Sequence, residues 1–404
     1  MEPKRIDTDS IVDMMLHLRW KSDGVAHTDG YQASRINIWR DYIPPLLHKK
    51  LEGKMAGEQI EIPLQAGDII PAFDHQNLIQ IKSNQFGRQL ALKTLSGPAV
   101  GRFYPRGILR SVSGVFSANI QPFRLVDRNN GHMTVDFNHP LAGRELVLSG
   151  IVGKVGTKET ERGGSSVDWM EVLTSGPGMQ ARSRSQQTDF FSAGALARDD
   201  ETPDAGFYRE PRLVNHIDDT AIEIIKNTYE RFLNDDMEVL DLMSSWQSHI
   251  PDEIRLRRLT GLGLNESELE KNTRLSEHIV HDLNLNPLLP FDSNSFDAVV
   301  CTVSVEYLTD PLAVFEEVTR VLRQDGYFIV TFSNRWFRTK AVKIWAELHE
   351  FERMGMVLEY FLRSGGFKNL QTYSFRGLPR PHDDKYFPDL IYSDPVYAVW
   401  GQKR

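Results

Sequence analysis

Along the first part of the chain, residues 7–154, apolar positions come in short runs broken by turn residues. EQIEIPL (58–64), LIQIK (78–82) and RELVLSGIVGKV (144–155) are such runs. Runs of this length between Gly, Asp and Asn predict strands, so this region is expected to be mostly β. From Gly156 to about Gly206 the pattern lapses. ERGGSS, TSGPGMQARSRSQQT and ARDDETPDAG are dominated by Gly, Ser, Pro and charge. Such a composition offers too little apolar surface to offset the entropy of ordering. Residues 156–206 are therefore expected to be a flexible linker, with a short ordered piece near Trp169 to Leu173. The alternative is that Trp169, Met170, Phe190 and Phe191 dock the linker and fix the arrangement.

After Gly206 the pattern changes to helix and strand in alternation. Ile217, Ala221, Ile224, Ile225, Tyr229 and Phe232 recur at helical spacing and predict a helix over 216–232. Apolar runs at 238–243, 255–265, 278–284 and 296–304 predict four strands. Asp310 offers an N-cap and Pro311 a first helical residue. That helix is expected to close at Asp325-Gly326, followed by a strand at 327–334 and a long helix over 338–362. LQTYSF (370–375) and VYAVWGQ (396–402) predict a closing pair of strands. Strands separated by helices predict a doubly wound, mainly parallel sheet, which binds ligands beyond the carboxyl ends of its strands.

Composition narrows the classes of function. The chain of 404 residues suggests more than one domain and carries a net charge of −8, so no general basic surface exists for a nucleic-acid backbone. The single cysteine, Cys301, excludes an intrachain disulfide and a cysteine zinc cluster, and no metal site is expected. The first residues, MEPKRIDTDSIVDMML, carry no apolar stretch of signal-peptide length, and no run approaches a membrane span. A soluble, cytoplasmic protein without membrane association is expected.

The order EVLDLM, LTGLGLNESEL and HDLNLNPLLPFDSNSFDAVVCTVSVEYLTDPLAVFEEVTRVLRQDGYFIVTFSNR resembles the class I S-adenosylmethionine-dependent methyltransferases of the broad type 11 group. The resemblance covers 207–404 and is most specific over 290–334. It implies a Rossmann-like α/β sheet and S-adenosylmethionine as cofactor. In this family the loop after the first strand carries spaced glycines. Here it reads Asp241, Leu242, Met243, Ser244, Ser245, Trp246. With no glycine, this loop is expected to avoid positive φ, while Ser244 and Ser245 present small hydroxyls. The family's acidic residue after the second strand, which takes the ribose hydroxyls, corresponds to Asn265 or Glu266. Asn265 and Glu268 also read as a helix start. Asp282 corresponds to the adenine-binding position, with Leu283 packing on the ring. Tyr208 and Arg212, near His216, belong to a leading segment that lids the cofactor, where Arg212 could pair with its carboxylate. Glu306 and Tyr307 are the candidate catalytic groups on the acceptor side.

VDFNHPLAGRELVL (135–148) and IPPLLHKKLEGKMAGEQIEI (43–62) resemble SlyD-like FKBP-type prolyl isomerases. The resemblance assigns 1–155 to an FKBP-like domain with a chaperone-like insert at about 72–128. The family's aromatic wall and aspartate correspond here to His17, His27-Thr28 with Asp29 one place on, and Ile70. Those replacements predict weak or absent isomerase activity. Asn138, Pro140 and Gly143 are expected to shape a turn. Three readings follow: a methyltransferase whose N-terminal domain binds a peptide or protein substrate, a non-catalytic cofactor-sensing or chaperone-like binding protein, and an active prolyl isomerase with an accessory domain. The sequence does not identify the methyl acceptor.

Overall fold

The computed structural model describes residues 4–87, 89–90, 93–94, 97–157, 164–192 and 194–404. Its N-terminal region is strand-rich. β1 (Ser10–Ser22) and β2 (Val25–Asn37) form a hairpin turned by Asp23 and Gly24, both at positive φ, as a two-residue Asp-Gly hairpin requires. α1 (Pro45–Leu51) leads to β3 (Gln59–Leu64). The chain then leaves this sheet through β4 (Leu78–Lys82), β5 (Gln89–Leu90), β6 (Lys93–Thr94), β7 (Phe103–Pro105), β8 (Pro122–Asn129) and β9 (His132–Asp136). It returns as β10 (Leu146–Thr157) between β1 and β3. Strands β4, β9, β8 and β7 form a separate sheet with its own core. That sheet runs to Asp136, beyond the expected insert limit of 128. Asn138 ties the exit and return of this excursion: its Oδ1 accepts from Asp74 N at 2.9 Å and its Nδ2 donates to Asp74 O at 2.9 Å.

The C-terminal half forms the expected α/β sheet. Its strands are β11 (Glu238–Leu242), β12 (Arg258–Gly263), β13 (Glu277–Val280), β14 (Phe296–Thr302), β15 (Leu322–Phe332), β16 (Phe367–Arg376) and β17 (Val396–Lys403). The parallel part has the order β13-β12-β11-β14-β15, and β17 adds antiparallel to β15. Asp310 caps α6 (Pro311–Val321), accepting from Ala313 N at 3.2 Å. This helix ends at Val321 rather than at Asp325-Gly326, because Leu322 already pairs with Phe296 at the foot of β14. The helix over 216–232 shortens to α4 (Asp219–Tyr229), capped by Asp218. The expected long helix is two, α7 (Lys343–Glu347) and α8 (Glu350–Ser364), separated where His349 caps the second.

The two sheets are one. β16 pairs in parallel with β2, from Gln371 opposite Ala26 to Arg376 opposite Tyr31, giving a continuous sheet of eleven strands. Gly30 permits this seam, since a Cβ there would overlap the Phe375 ring. A loose tether over 156–206 does not describe the residues seen there, although part of ERGGSS lies outside the described residues. α2 (Trp169–Thr174), capped by Asp168, buries Trp169, Met170 and Leu173 against β1 and β2. Met179, Phe190 and Ala195 join the core under α6 and α8. Arg182 grips Glu359 on α8 with two bonds of 2.6 and 2.7 Å. Polar composition hid a few large apolar anchors spaced between turns. Arg102 and Phe103, from the smaller sheet, bind Glu352 on α8. No helix among the described residues is long and apolar enough to cross a membrane.

Candidate functional site

The carboxyl ends of the parallel strands open onto one cavity of about 520 Å³, within the roughly 300–1,000 Å³ of small-molecule pockets. At the end of β11, Asp241 is buried and its Oδ2 accepts from the Ser244 and Ser248 hydroxyls, each at 2.6 Å. Burial pushes this carboxyl up to about 6, against the pull of those hydroxyls. The next turn corrects the sequence expectation: Met243 stands at φ +59° despite the absence of glycine. Val303, after β14, is also left-handed at +49°, and both residues line the cavity. Left-handed conformations cost a non-glycine residue about 1–2 kcal/mol, and such strain clusters at functional sites.

β12 ends at Gly263, two residues earlier than expected. A Cβ at Gly263 would overlap the Ser244 carbonyl oxygen, so the two loops close on each other only because this position is glycine. Asn265 is the N-cap of α5 (Glu266–Lys271), accepting from Glu268 N at 3.1 Å. Its amide nitrogen donates to the carbonyls of Tyr208 and Arg209. Both ends of that amide are thus engaged in holding structure. Glu266 is exposed and lies off the cavity wall, whereas Glu268 is on it. Glu268 accepts from the Ser245 hydroxyl and from Arg212 N, each at 2.6 Å, so it joins the β11 loop to the leading segment.

After β13, Asp282 lines the cavity and accepts from Asn284 N at 2.9 Å and Leu285 N at 3.2 Å. Leu283 is buried beside it. Over the mouth, Arg212 donates to Phe207 O at 3.1 Å and lies 4.5 and 4.8 Å from the ring centres of Phe207 and Phe337. Tyr208 lines the same wall, and burial holds its hydroxyl above its usual range. Trp246 Nε1 donates to Val214 O at 3.3 Å and pins the same segment.

The short helical turn Val305–Tyr307 splits the two candidate catalytic groups. Tyr307 lines the cavity, and its hydroxyl accepts from Phe337 N at 2.9 Å. Glu306 turns away from it: the residue is 1% exposed, and neither carboxylate oxygen has a hydrogen-bond partner. Burial pushes Glu306 up to about 8, partly opposed by Arg353, so at neutral pH it is a protonated core group.

His216, His249 and His281 are also on the lining. Further wall comes from Arg335, Trp336 and Phe337 after β15 and from Lys385 and Tyr386 between β16 and β17. None of these sits in a recognisable motif, and only the fold brings them over the strand ends. On the N-terminal side, the residues corresponding to an isomerase wall are sealed. His27 Nε2 is 2.8 Å from the Ser22 hydroxyl and its Nδ1 is 2.8 Å from the Thr372 hydroxyl. Asp29 accepts from Ser374 at 2.5 Å and faces Gln180 at 3.5 Å. Burial raises it to about 7. Ile70 is part of the hydrophobic core, and His17 packs near Phe375.

Residues 247–330 match the family described as a methyltransferase domain. No curated protein matches the chain. Among solved structures, it is similar to the YcgJ protein of Bacillus subtilis, at 16% identity and TM-score 0.32, over 46% of this chain and 98% of that one. It is also similar to an S-adenosylmethionine-dependent methyltransferase from Mesorhizobium loti, at 14% identity and TM-score 0.32, over 46% and 99%. A third is a SAM-dependent methyltransferase from Archaeoglobus fulgidus, at 13% identity and TM-score 0.32, over 45% and 94%. The family match falls within the α/β half of the chain.

Proposed function

We propose that this chain methylates a small acceptor in the cavity at the strand ends. The observation that carries the reading is convergence. Asp241, Met243, Ser244, Ser245, Asp282, Leu283, Tyr208 and Arg212 come from three separate segments and line one cavity. The donor set fits the cofactor group by group. Asp282 offers a carboxylate to the adenine amine, and Leu283 an apolar surface to the ring. Glu268, rather than Asn265 or Glu266, is the acidic group available to the ribose hydroxyls. The left-handed turn at Met243 brings backbone and the Ser244 and Ser245 hydroxyls to the middle of the site, and Arg212 offers a guanidinium to the carboxylate.

When bound, the cofactor would supply an electrophilic methyl to the acceptor's lone pair, with S-adenosylhomocysteine as the leaving group and the acceptor's proton, where it carries one, released to solvent. The chain's part is to hold both reactants in line and exclude water, which is where acceleration in such a displacement arises. Tyr208 and Tyr307 do this as wall residues, with Phe337 hydrogen-bonded to Tyr307. Glu306 is outside the contact shell and is not the base in this reading. Calorimetric titration of the whole chain with S-adenosylhomocysteine tests it, with one-to-one binding expected. Absence of binding at millimolar ligand in folded protein removes it.

For the N-terminal region we infer an FKBP-like architecture used as a structural partner. The support is the Asn138 tie across the excursion and the burial of His27 and Asp29 under β16. A protease-free peptide assay should show no prolyl isomerase turnover, and robust turnover would restore the isomerase reading.

A further inference from the structure

The strand order divides the cavity into two halves. The groups suited to the cofactor follow β11, β12 and β13, with Tyr208 and Arg212 from the leading segment, and the opposite wall follows β14 and β15, with Lys385 and Tyr386 from the β16–β17 connection. Adjacent strands lie about 4.8 Å apart, so the end of β15 is four steps, or roughly 19 Å, from the end of β13. Arg335, at the end of β15, is therefore well removed from Asp282, on the far side of the methyl-donor centre.

That second half is aromatic and cationic. Arg335 Nε donates to Asp394 at 3.0 Å, and Asp394 is also held by Arg380 at 2.6 Å. Arg380 is also paired with Asp218 at 3.2 Å and Asp384 at 3.0 Å, so Asp394 is the carboxylate it shares with Arg335. Arg335 Nη2 is buried without a hydrogen-bond partner. Lys385 lies beside it on the wall with its Nζ 4.9 Å from the Tyr386 ring centre, and forms no ion pair among the described residues. The Arg335 guanidinium sits 4.3 Å from the same ring, and Trp336 is held in place by Arg353 at 4.1 Å. Apart from Asp282, which lies in the cofactor half, the acids of the wall are engaged elsewhere. Asp204 is paired with Arg198 and Lys340, Asp241 is enclosed by serine hydroxyls, and Glu268 is spanned by Ser245 and Arg212.

We propose that the methyl acceptor is a small planar aromatic acid. Its anionic group is held by Arg335 and Lys385, its ring lies among Phe337, Trp336 and Tyr386, and its nucleophilic oxygen or nitrogen projects across the ring toward Tyr307 and the cofactor half. This rests on the methyltransferase reading, with the cofactor bound in the other half. The anion is read by charge-assisted hydrogen bonds, which are about twice as strong as neutral ones. A flat ring is the shape that packs on aromatic faces and against a guanidinium.

The test uses the full chain and three probes of one shape: 4-hydroxybenzoate, its neutral amide 4-hydroxybenzamide, and the cation tyramine. Each is titrated by calorimetry with and without saturating S-adenosylhomocysteine. The acid is expected to bind about tenfold or more tightly than the amide, with tyramine weakest. Arg335→Gln should remove that preference. Lys385→Gln, at an exposed position without an ion pair, should reduce it by about threefold without affecting folding. Equal binding of acid and amide, a preference for tyramine, or no binding of the acid at millimolar concentration overturns the proposal. S-adenosylhomocysteine binding is measured in the same series, so failure of the methyltransferase reading is seen separately from loss of the anion preference.

Discussion

Met243 carries a conflict between residue and backbone at the site. A left-handed residue at φ +59° with a long side chain holds strain that glycine would release. Met243→Gly is expected to leave stability unchanged or raise it by about 1 kcal/mol. Met243→Val, whose β-branch is poorly suited to that conformation, should cost about 1–3 kcal/mol. Chemical denaturation of both variants checks the ordering, and a more stable valine variant would refute the account. The same loop shows what single residues in the sequence reveal. Asp241 lies in β11, Asp282 just beyond β13 and Tyr307 beyond β14, and all three line the cavity. Glu266 and Glu268 were not distinguishable by composition, and only the start of α5 at Glu266 sends one outward and leaves the other on the wall. Two substitutions separate these roles. Asp282→Ala should weaken S-adenosylhomocysteine binding by roughly 1–3 kcal/mol, the worth of a lost hydrogen bond to a charged group. Glu266→Ala should leave it unchanged.

At the scale of elements, the seam between β2 and β16 places a carboxyl where ionisation opposes folding. Asp29 is buried at that seam under Ser374 and Gln180, with its pKa raised from 3.8 to about 7. Between those values the native chain keeps the proton and the unfolded chain releases it. The stabilising contribution of the protonated group is therefore full below about pH 4 and is lost as pH rises to about 7. Asp241, raised to about 6, and Glu306, raised to about 8, act in the same direction. Asp29→Asn should flatten the fall in unfolding free energy between pH 4 and 7 measured by denaturant titration. An unchanged slope would mean that Asp29 is ionised in the fold. The elements themselves were largely legible, since β4, β11, β14, β17 and the start of α6 sit where apolar periodicity and caps put them. The break between α7 and α8 was not, because the apolar spacing of the two short helices runs through His349 without interruption.

The whole molecule is where the sequence said least. Composition separates two halves and a polar stretch between them, but composition records neither which edge strand lies free nor what covers it. β16 would be an edge of the α/β sheet and β2 an edge of the N-terminal sheet, and their parallel pairing closes both. An unpaired edge exposes a row of backbone donors and acceptors, which folded proteins cover or blunt. The middle stretch seals the joint, with Trp169 donating to Asp41 at 2.9 Å, Arg182 on Glu359, and Arg198 on Asp204 at 2.7 Å. Lys340, fully buried, reaches Asp200 and Asp204 from the C-terminal half. Removing residues 1–206 strips from Lys340 its carboxylate partners Asp200 and Asp204 and its bond to Thr202. It also exposes the β16 edge and the apolar surface beneath Met179 and Phe190. The fragment 207–404 is therefore expected to aggregate or to unfold at markedly lower denaturant than the full chain, even though it contains the entire parallel sheet. The intact chain should resist limited proteolysis between residues 164 and 206. Rapid cutting there into two soluble fragments, with 207–404 retaining S-adenosylhomocysteine binding, would show that the halves are independent and that the shared sheet is not what holds them.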